Sequence, residues 1–249
     1  MNKELKQQQV VKLVLHVTLF YLACPLFAKN VEAQEPAVNA EVQKMLDEYT
    51  SNIEIDRKMI AKGWHDDSSL ALEFLNRGKV YWAFAKKYEL AEQDFTTAMR
   101  YFQTPRDEDN WLYKLRKFEA WHYRAMCRIE LGDYKGAEAD ACYAVKGFAK
   151  LVEDGHDHCA STQVYALKIR AKIRSREDAP VESLEFALAD YELACSLSRS
   201  LAETEPELRT FFEEQIGKFR KQQSEVAERL QRFSKAADDS SASQKNDSR

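Results

Sequence analysis

One eight-residue phrase, Ala-x-x-Asp-x-x-x-Ala, occurs three times and constrains the fold more than any other feature of the chain. It runs from Ala91 through Asp94 to Ala98, from Ala137 through Asp140 to Ala144, and from Ala187 through Asp190 to Ala194. Upstream of each copy stands an arginine followed by a small residue: Arg77-Gly78, Arg124-Ala125 and Arg170-Ala171. Small residues at helical spacing let two helices approach closely, and repetition of such a unit implies stacked helix pairs. Seven glycines and five prolines in 249 residues suit a helical chain.

The middle unit resembles a tetratricopeptide repeat. It reads Trp121, Tyr123-Arg124-Ala125, then Leu131-Gly132-Asp133-Tyr134, then Ala137, Ala141 and Ala144. The first unit (Arg77-Gly78, Lys87-Tyr88, Ala91, Phe95, Ala98) has one residue more between its helices and lacks the turn glycine. The third (Arg170-Ala171, Ala187, Tyr191, Ala194) also lacks it and holds about four extra residues near Ser175 to Pro180, against a family unit of about 34 residues. The resemblance spans residues 68–203. It implies an all-α, right-handed superhelical stack of helix hairpins, a scaffold that binds protein segments and carries no reaction.

The flanks extend this plan. Lys3 and Lys6 precede a mostly apolar run, Val10 to Ala28, followed by Val31-Glu32-Ala33. That pattern is expected to be a signal peptide over residues 1–33, giving a periplasmic or secreted product. Leu22-Ala23-Cys24 leaves a lipid anchor at Cys24 as the alternative, and an uncleaved membrane helix as another. Residues 34–67 are expected to form a linker up to Asn39 and a first helix from Ala40 to Lys62, closed by Gly63. Thr204-Glu205-Pro206-Glu207 reads as a capping-box start for a final helix. In it Leu208, Phe212, Ile216, Phe219, Val226, Leu230 and Phe233 recur three, four or seven apart. This helix, residues 204–233, is expected to cap the stack, with a dimerising role as the alternative. Residues 234–249, small and polar, are expected to be a disordered tail.

The formal charge is −4, and residues 1–33 contribute four lysines and two glutamates, so the remainder carries −6. That balance argues against nucleic acid as a partner, which needs a concentrated basic surface. No Gly-rich phosphate loop, His-Glu-x-x-His or Gly-x-Ser-x-Gly occurs, so no catalytic residue and no cofactor is expected. Asp94, Asp140 and Asp190 occupy one repeat position, which points to architecture over acid–base chemistry. His156-Asp157-His158-Cys159 is the one local run of metal-ligand types; no second Cys/His run completes a four-ligand site, and no metal is expected. Outside the leader stand Cys127, Cys142, Cys159 and Cys195, whose pairing the sequence leaves open. Cys127, Cys142 and Cys195 also suit small core positions.

The resemblance places the first helix of each hairpin along a concave groove. Lys168 and Lys172 are i, i+4 and share a helix face. Lys79, Trp82, His122 and Met126 are expected to join them. The expected function is therefore a non-catalytic interaction module that grips an acidic partner segment with apolar anchors. It would assist assembly of an envelope complex or hold an exported client. Two other readings are a structural subunit that homodimerises through its last helix, and a metal-dependent activity at the His-Asp-His-Cys loop.

Overall fold

A computed structural model describes residues 35–64, 67–103 and 110–247. The expected leader, its cleavage site and Cys24 lie outside them. The described residues are all-helical, with eight α-helices that pack consecutively within two compact units, residues 1–104 and 105–249.

In the N-terminal unit α1 (Glu35–Ala61) packs on α2 (Asp67–Val80), and α2 packs on α3 (Tyr88–Tyr101). Helix α1 begins at Glu35, where the sequence suggests a linker to Asn39. It buries Val42, Leu46 and Ile53. It closes on Gly63, whose φ of 72° lets its amide reach Ile60 O while the Trp64 amide reaches Met59 O. The paired bonds are a glycine C-cap that satisfies otherwise orphaned carbonyls. The extra residue of the first hairpin is taken up by a π-helical turn, Tyr81–Ala85, at the end of α2. A π turn bonds i to i+5 and so holds one residue more than an α turn. The chain then reverses at Lys86 with φ 51°, in the left-handed region that the missing glycine would enter without strain.

The C-terminal unit runs α4 (Trp111–Glu130), α5 (Tyr134–Glu153), α6 (Ala160–Arg174), α7 (Val181–Thr204) and α8 (Arg209–Asp247). Asn110 caps α4, its side-chain oxygen accepting from the Leu112 and Tyr113 amides. Gly132 (φ 81°) ends it with the same glycine motif, and Asp133 then accepts from the Gly136 amide to start α5. The lengthened ends of α4 and α5 pack on each other. Phe118 lies so close to Gly147 that a Cβ there would sit 2.2 Å from the ring.

All six alanines that open and close the three phrases are fully buried, as are Ala125 and Ala171. Gly78 is buried too, with Phe95 against it. Backbone therefore approaches backbone inside every hairpin, and the repeated arginine and aspartate complete the contact. Arg77 Nε and Nη2 donate to the two Asp94 oxygens at 2.8 Å each. Arg124 does the same to Asp140 at 2.7 Å each, and Arg170 to Asp190 at 2.9 and 2.6 Å. Each is a two-pronged guanidinium–carboxylate pair joining the first helix of a hairpin to the second.

Helix α8 lies against α7 and closes the unit. Phe212, Ile216, Phe219 and Val226 are buried in the same core as Leu167, Leu184 and Tyr191, and Leu230 packs on it. Phe233 is 45% exposed. Two details differ from expectation. Thr204 is no N-cap of α8: its hydroxyl donates back to Ser200 O and Leu201 O, finishing α7, and a 3₁₀ turn, Pro206–Leu208, leads into α8. The helix also continues past Ser234 to Asp247, through the expected tail. The third hairpin's extra residues have a partner here. Arg229 of α8 donates to the carbonyls of Ser175, Arg176 and Glu177 in that inserted loop.

Candidate functional site

The six residues expected to line one groove fall in both units. Lys79 (α2) and Trp82 (π turn) are half-buried in the N-terminal unit. His122 and Met126 (α4) and Lys168 and Lys172 (α6) are in the C-terminal unit. Counting from the repeated arginine sorts them. Two residues after it come Lys79, Met126 and Lys172, half-buried, half-buried and exposed. Two residues before it come Leu75, His122 and Lys168. Leu75 is 0% and His122 1% exposed, so this position faces inward in the first two hairpins. His122 is therefore no accessible groove residue. An imidazole fills a core position there, its ring edge-on to Tyr123 at 5.6 Å between centroids.

The C-terminal unit holds Met126, Lys168 and Lys172 on two of its helices. Helices α4 and α6 touch, which brings the Met126 helix alongside the lysine helix. Among the described residues no ion pair or side-chain hydrogen bond engages Lys168 or Lys172. Lys168 is only partly exposed, and burial first, then the charges of Lys218 and Lys172, push its ammonium below the usual lysine range. Lys218 belongs to α8 and pairs with Glu214 one turn earlier at 2.7 Å. The sequence does not single it out, because the apolar stripe of α8 reads as a cap or a dimerising face and draws attention away from its polar residues.

The other candidates for chemistry are occupied by structure. Asp140 is 1% and Asp190 4% exposed, and each is held by two arginines: Arg128 Nη1 adds to Asp140 at 3.0 Å and Arg174 Nη1 to Asp190 at 3.1 Å. Carboxylates enclosed in this way are poor proton carriers, having no open approach. His156 stacks on Trp111 and His158 meets it edge-on, both at 4.8 Å between centroids. Burial, helped by the neighbouring His156, pushes the His158 imidazole below its usual range. Cys159 is buried, and burial beside the Glu119 charge raises its thiol to about 12, which leaves it unreactive near neutral pH. Among the described residues no three His, Cys, Asp or Glu side chains come together as a metal site.

The four cysteines Cys127, Cys142, Cys159 and Cys195 are unbridged. Cys127 and Cys195 sit in the core as small residues. Cys142 is half-buried, with Arg170 and Arg174 donating to its sulfur at 3.9 and 3.6 Å. No helix among the described residues is long and apolar enough to cross a membrane. No known protein family, curated protein or solved structure matches this chain.

Proposed function

We propose that the chain is a non-catalytic, exported module of tetratricopeptide-like hairpins that holds a segment of a partner protein. The observation that carries this reading is the division of charged residues in the C-terminal unit. The repeated carboxylates are consumed in buried pairs, while Lys168 and Lys172 stand on one helix face with no counter-ion among the described residues. Residues that the fold does not use, grouped on one face, are what a binding surface needs. Helix hairpins in series support the repeat-stack reading, and the signal-like residues 1–33 support a place outside the cytoplasm, in assembly of an envelope complex or custody of an exported client.

Self-association through α8 has less support. Its apolar stripe is buried within the chain from Phe212 to Val226, which leaves Phe233 as the large exposed side chain.

The test is reversal of Lys168 and Lys172 to Glu. Helical content should be kept; the exposed Lys172 contributes a shift of only about 0.5 kcal/mol, and the partly buried Lys168 a modest further fall in melting temperature. The yield of cross-linked neighbours recovered with the chain from its own compartment should fall, most strongly at low salt. Equal yield across a range of salt would remove this face from the function.

A further inference from the structure

The outer faces of α5 and α7 carry apolar side chains that the fold leaves uncovered. Tyr143 of α5 is 59% exposed, and Phe186 and Leu193 of α7 are 59% and 43% exposed. Tyr143 and Leu193 hold one repeat position, the residue before the closing alanine of the phrase, so both look out from the same face of their hairpins. The first hairpin has the polar Thr97 there. Arg174 of α6 joins the two helices at this surface. Its Nε donates to Glu138 of α5 at 2.8 Å, and its Nη2 donates to the sulfur of Cys142, the neighbour of Tyr143, at 3.6 Å. Its guanidinium lies 5.3 Å from the Phe186 ring of α7. The faces differ in charge: α5 exposes Lys135 and Lys146, α7 exposes Glu182 and Glu185. Among the described residues no ion pair engages any of the four. Lys135 and Glu185 are again repeat equivalents, each two residues before the opening alanine of its phrase.

We propose that this surface joins two copies of the chain, α5 of one copy lying on α7 of the other. Helix α5 packs on α6 and α6 on α7, and the chain reverses at each step, so α5 and α7 run in the same direction. A two-fold axis along that direction lays α5 of the second copy over α7 of the first at equal height and, by the same rotation, α7 over α5. Every residue then faces its own repeat equivalent. Lys135 meets Glu185, Tyr143 meets Leu193, the exposed Ala139 meets the exposed Ala189, and Phe186 lies over Gly136, where no side chain stands in its way. One surface is thus complementary to itself in charge and in shape, which selects a second copy over an unrelated protein. It uses neither the α6 lysines nor the apolar stripe of α8, and goes beyond the partner-binding reading.

Sedimentation equilibrium of the full chain over about 1–100 μM should show a dimer that dissociates on dilution and tightens at low salt. Lys135→Glu sets carboxylate against carboxylate, and Glu185→Lys sets ammonium against ammonium. Each should weaken the dimer about tenfold or more, because the pair occurs twice and like charges replace it. Mixed in equal amounts, the two variants should form a heterodimer as tight as the unaltered dimer, and the chain carrying both changes should dimerise again by itself. Leu193→Ser should also weaken association, whereas Phe233→Ser, which removes the exposed aromatic of α8, should not. Circular dichroism checks folding of each variant. A chain that stays monomeric throughout would overturn the interface, as would a dimer indifferent to both charge changes or a mixture that yields no heterodimer. Dissociation by Phe233→Ser with none by Leu193→Ser would move the contact to α8 and overturn this one.

Discussion

The first hairpin and the two that follow use the same guanidinium–carboxylate joint with different amounts of positive charge. Asp94 meets one arginine. Arg77 spends its remaining donor on Thr50 of α1 at 3.1 Å and lies over the Phe74 and Tyr81 rings. Asp140 and Asp190 each meet two, because the residue one turn after the repeated arginine is Arg128 or Arg174 where the first hairpin has Tyr81. Arg174 goes further, donating to Glu138 of α5 at 2.8 Å and so tying one hairpin to the next. An arginine at this position therefore adds a second cation to the joint in both later hairpins and, at Arg174, extends it to the preceding hairpin. In the N-terminal unit that role passes to α1, through Thr50 and a pair between Asn52 and Glu73 at 3.3 Å.

The contrast can be broken most directly at the carboxylates. Asp140→Asn leaves Arg124 and Arg128 facing a neutral amide in a nearly dry site, and should cost about 3–5 kcal/mol in urea unfolding. Asp94→Asn should cost less, about 1–3 kcal/mol, because Arg77 is more exposed (17% against 10% for Arg124) and keeps Thr50. Equal losses would show that the second arginine adds nothing.

A smaller effect tests what the hairpins share. Ala98→Phe and Ala144→Phe replace the closing alanine of two phrases, both fully buried. Each should overpack its helix contact by about 1–3 kcal/mol, and an unchanged melting temperature in either would remove that alanine from the interface. Arg229→Ala then unties the inserted loop of the third hairpin and should cost about 1–2 kcal/mol, with faster amide exchange near Ser175 to Glu177 and none of it in α2 or α3. The smallest change has opposite sign at the two turns. Lys86→Gly should stabilise by up to about 1 kcal/mol by relieving a left-handed lysine, whereas Gly132→Ala should destabilise by about 1 kcal/mol.

Hairpins were legible in the sequence because Ala-x-x-Asp-x-x-x-Ala states which face of the second helix is close-packed. The ends of α4 and α5 were legible through Gly132 and Asp133. The arginine and the aspartate were both visible as recurring residues, but spacing places a side chain on a face and does not name its neighbour across the hairpin. The extra residue of the first hairpin could be counted, while its accommodation as a π turn depends on packing of Val80 and Tyr81 with Val42 and Leu46 of α1. Thr204 illustrates a local signal with two readings: a hydroxyl before Pro206 can cap the next helix or bond back into the last one, and the backbone entering Pro206 decided for the second. His122 was counted among the groove-lining residues of the first helix of its hairpin, although an imidazole is small enough to be buried where a lysine is not. For the candidate site, Lys168 and Lys172 were readable as an i, i+4 pair. Lys218 was not, since it lies 46 residues beyond Lys172 on a different helix.

A double-mutant cycle on Arg124 and Asp140 tests the central claim that these repeated charges are architecture. Arg124→Met and Asp140→Leu would be made singly and together, and unfolding free energies measured in urea at one pH. If the pair is a buried joint, Asp140→Leu takes the carboxylate from both Arg124 and Arg128 and costs most, Arg124→Met leaves Asp140 its Arg128 partner and costs less, the double change costs less than the sum of the two, and the interaction energy is about 1–3 kcal/mol. Additive losses, with no interaction between the two positions, would contradict the account.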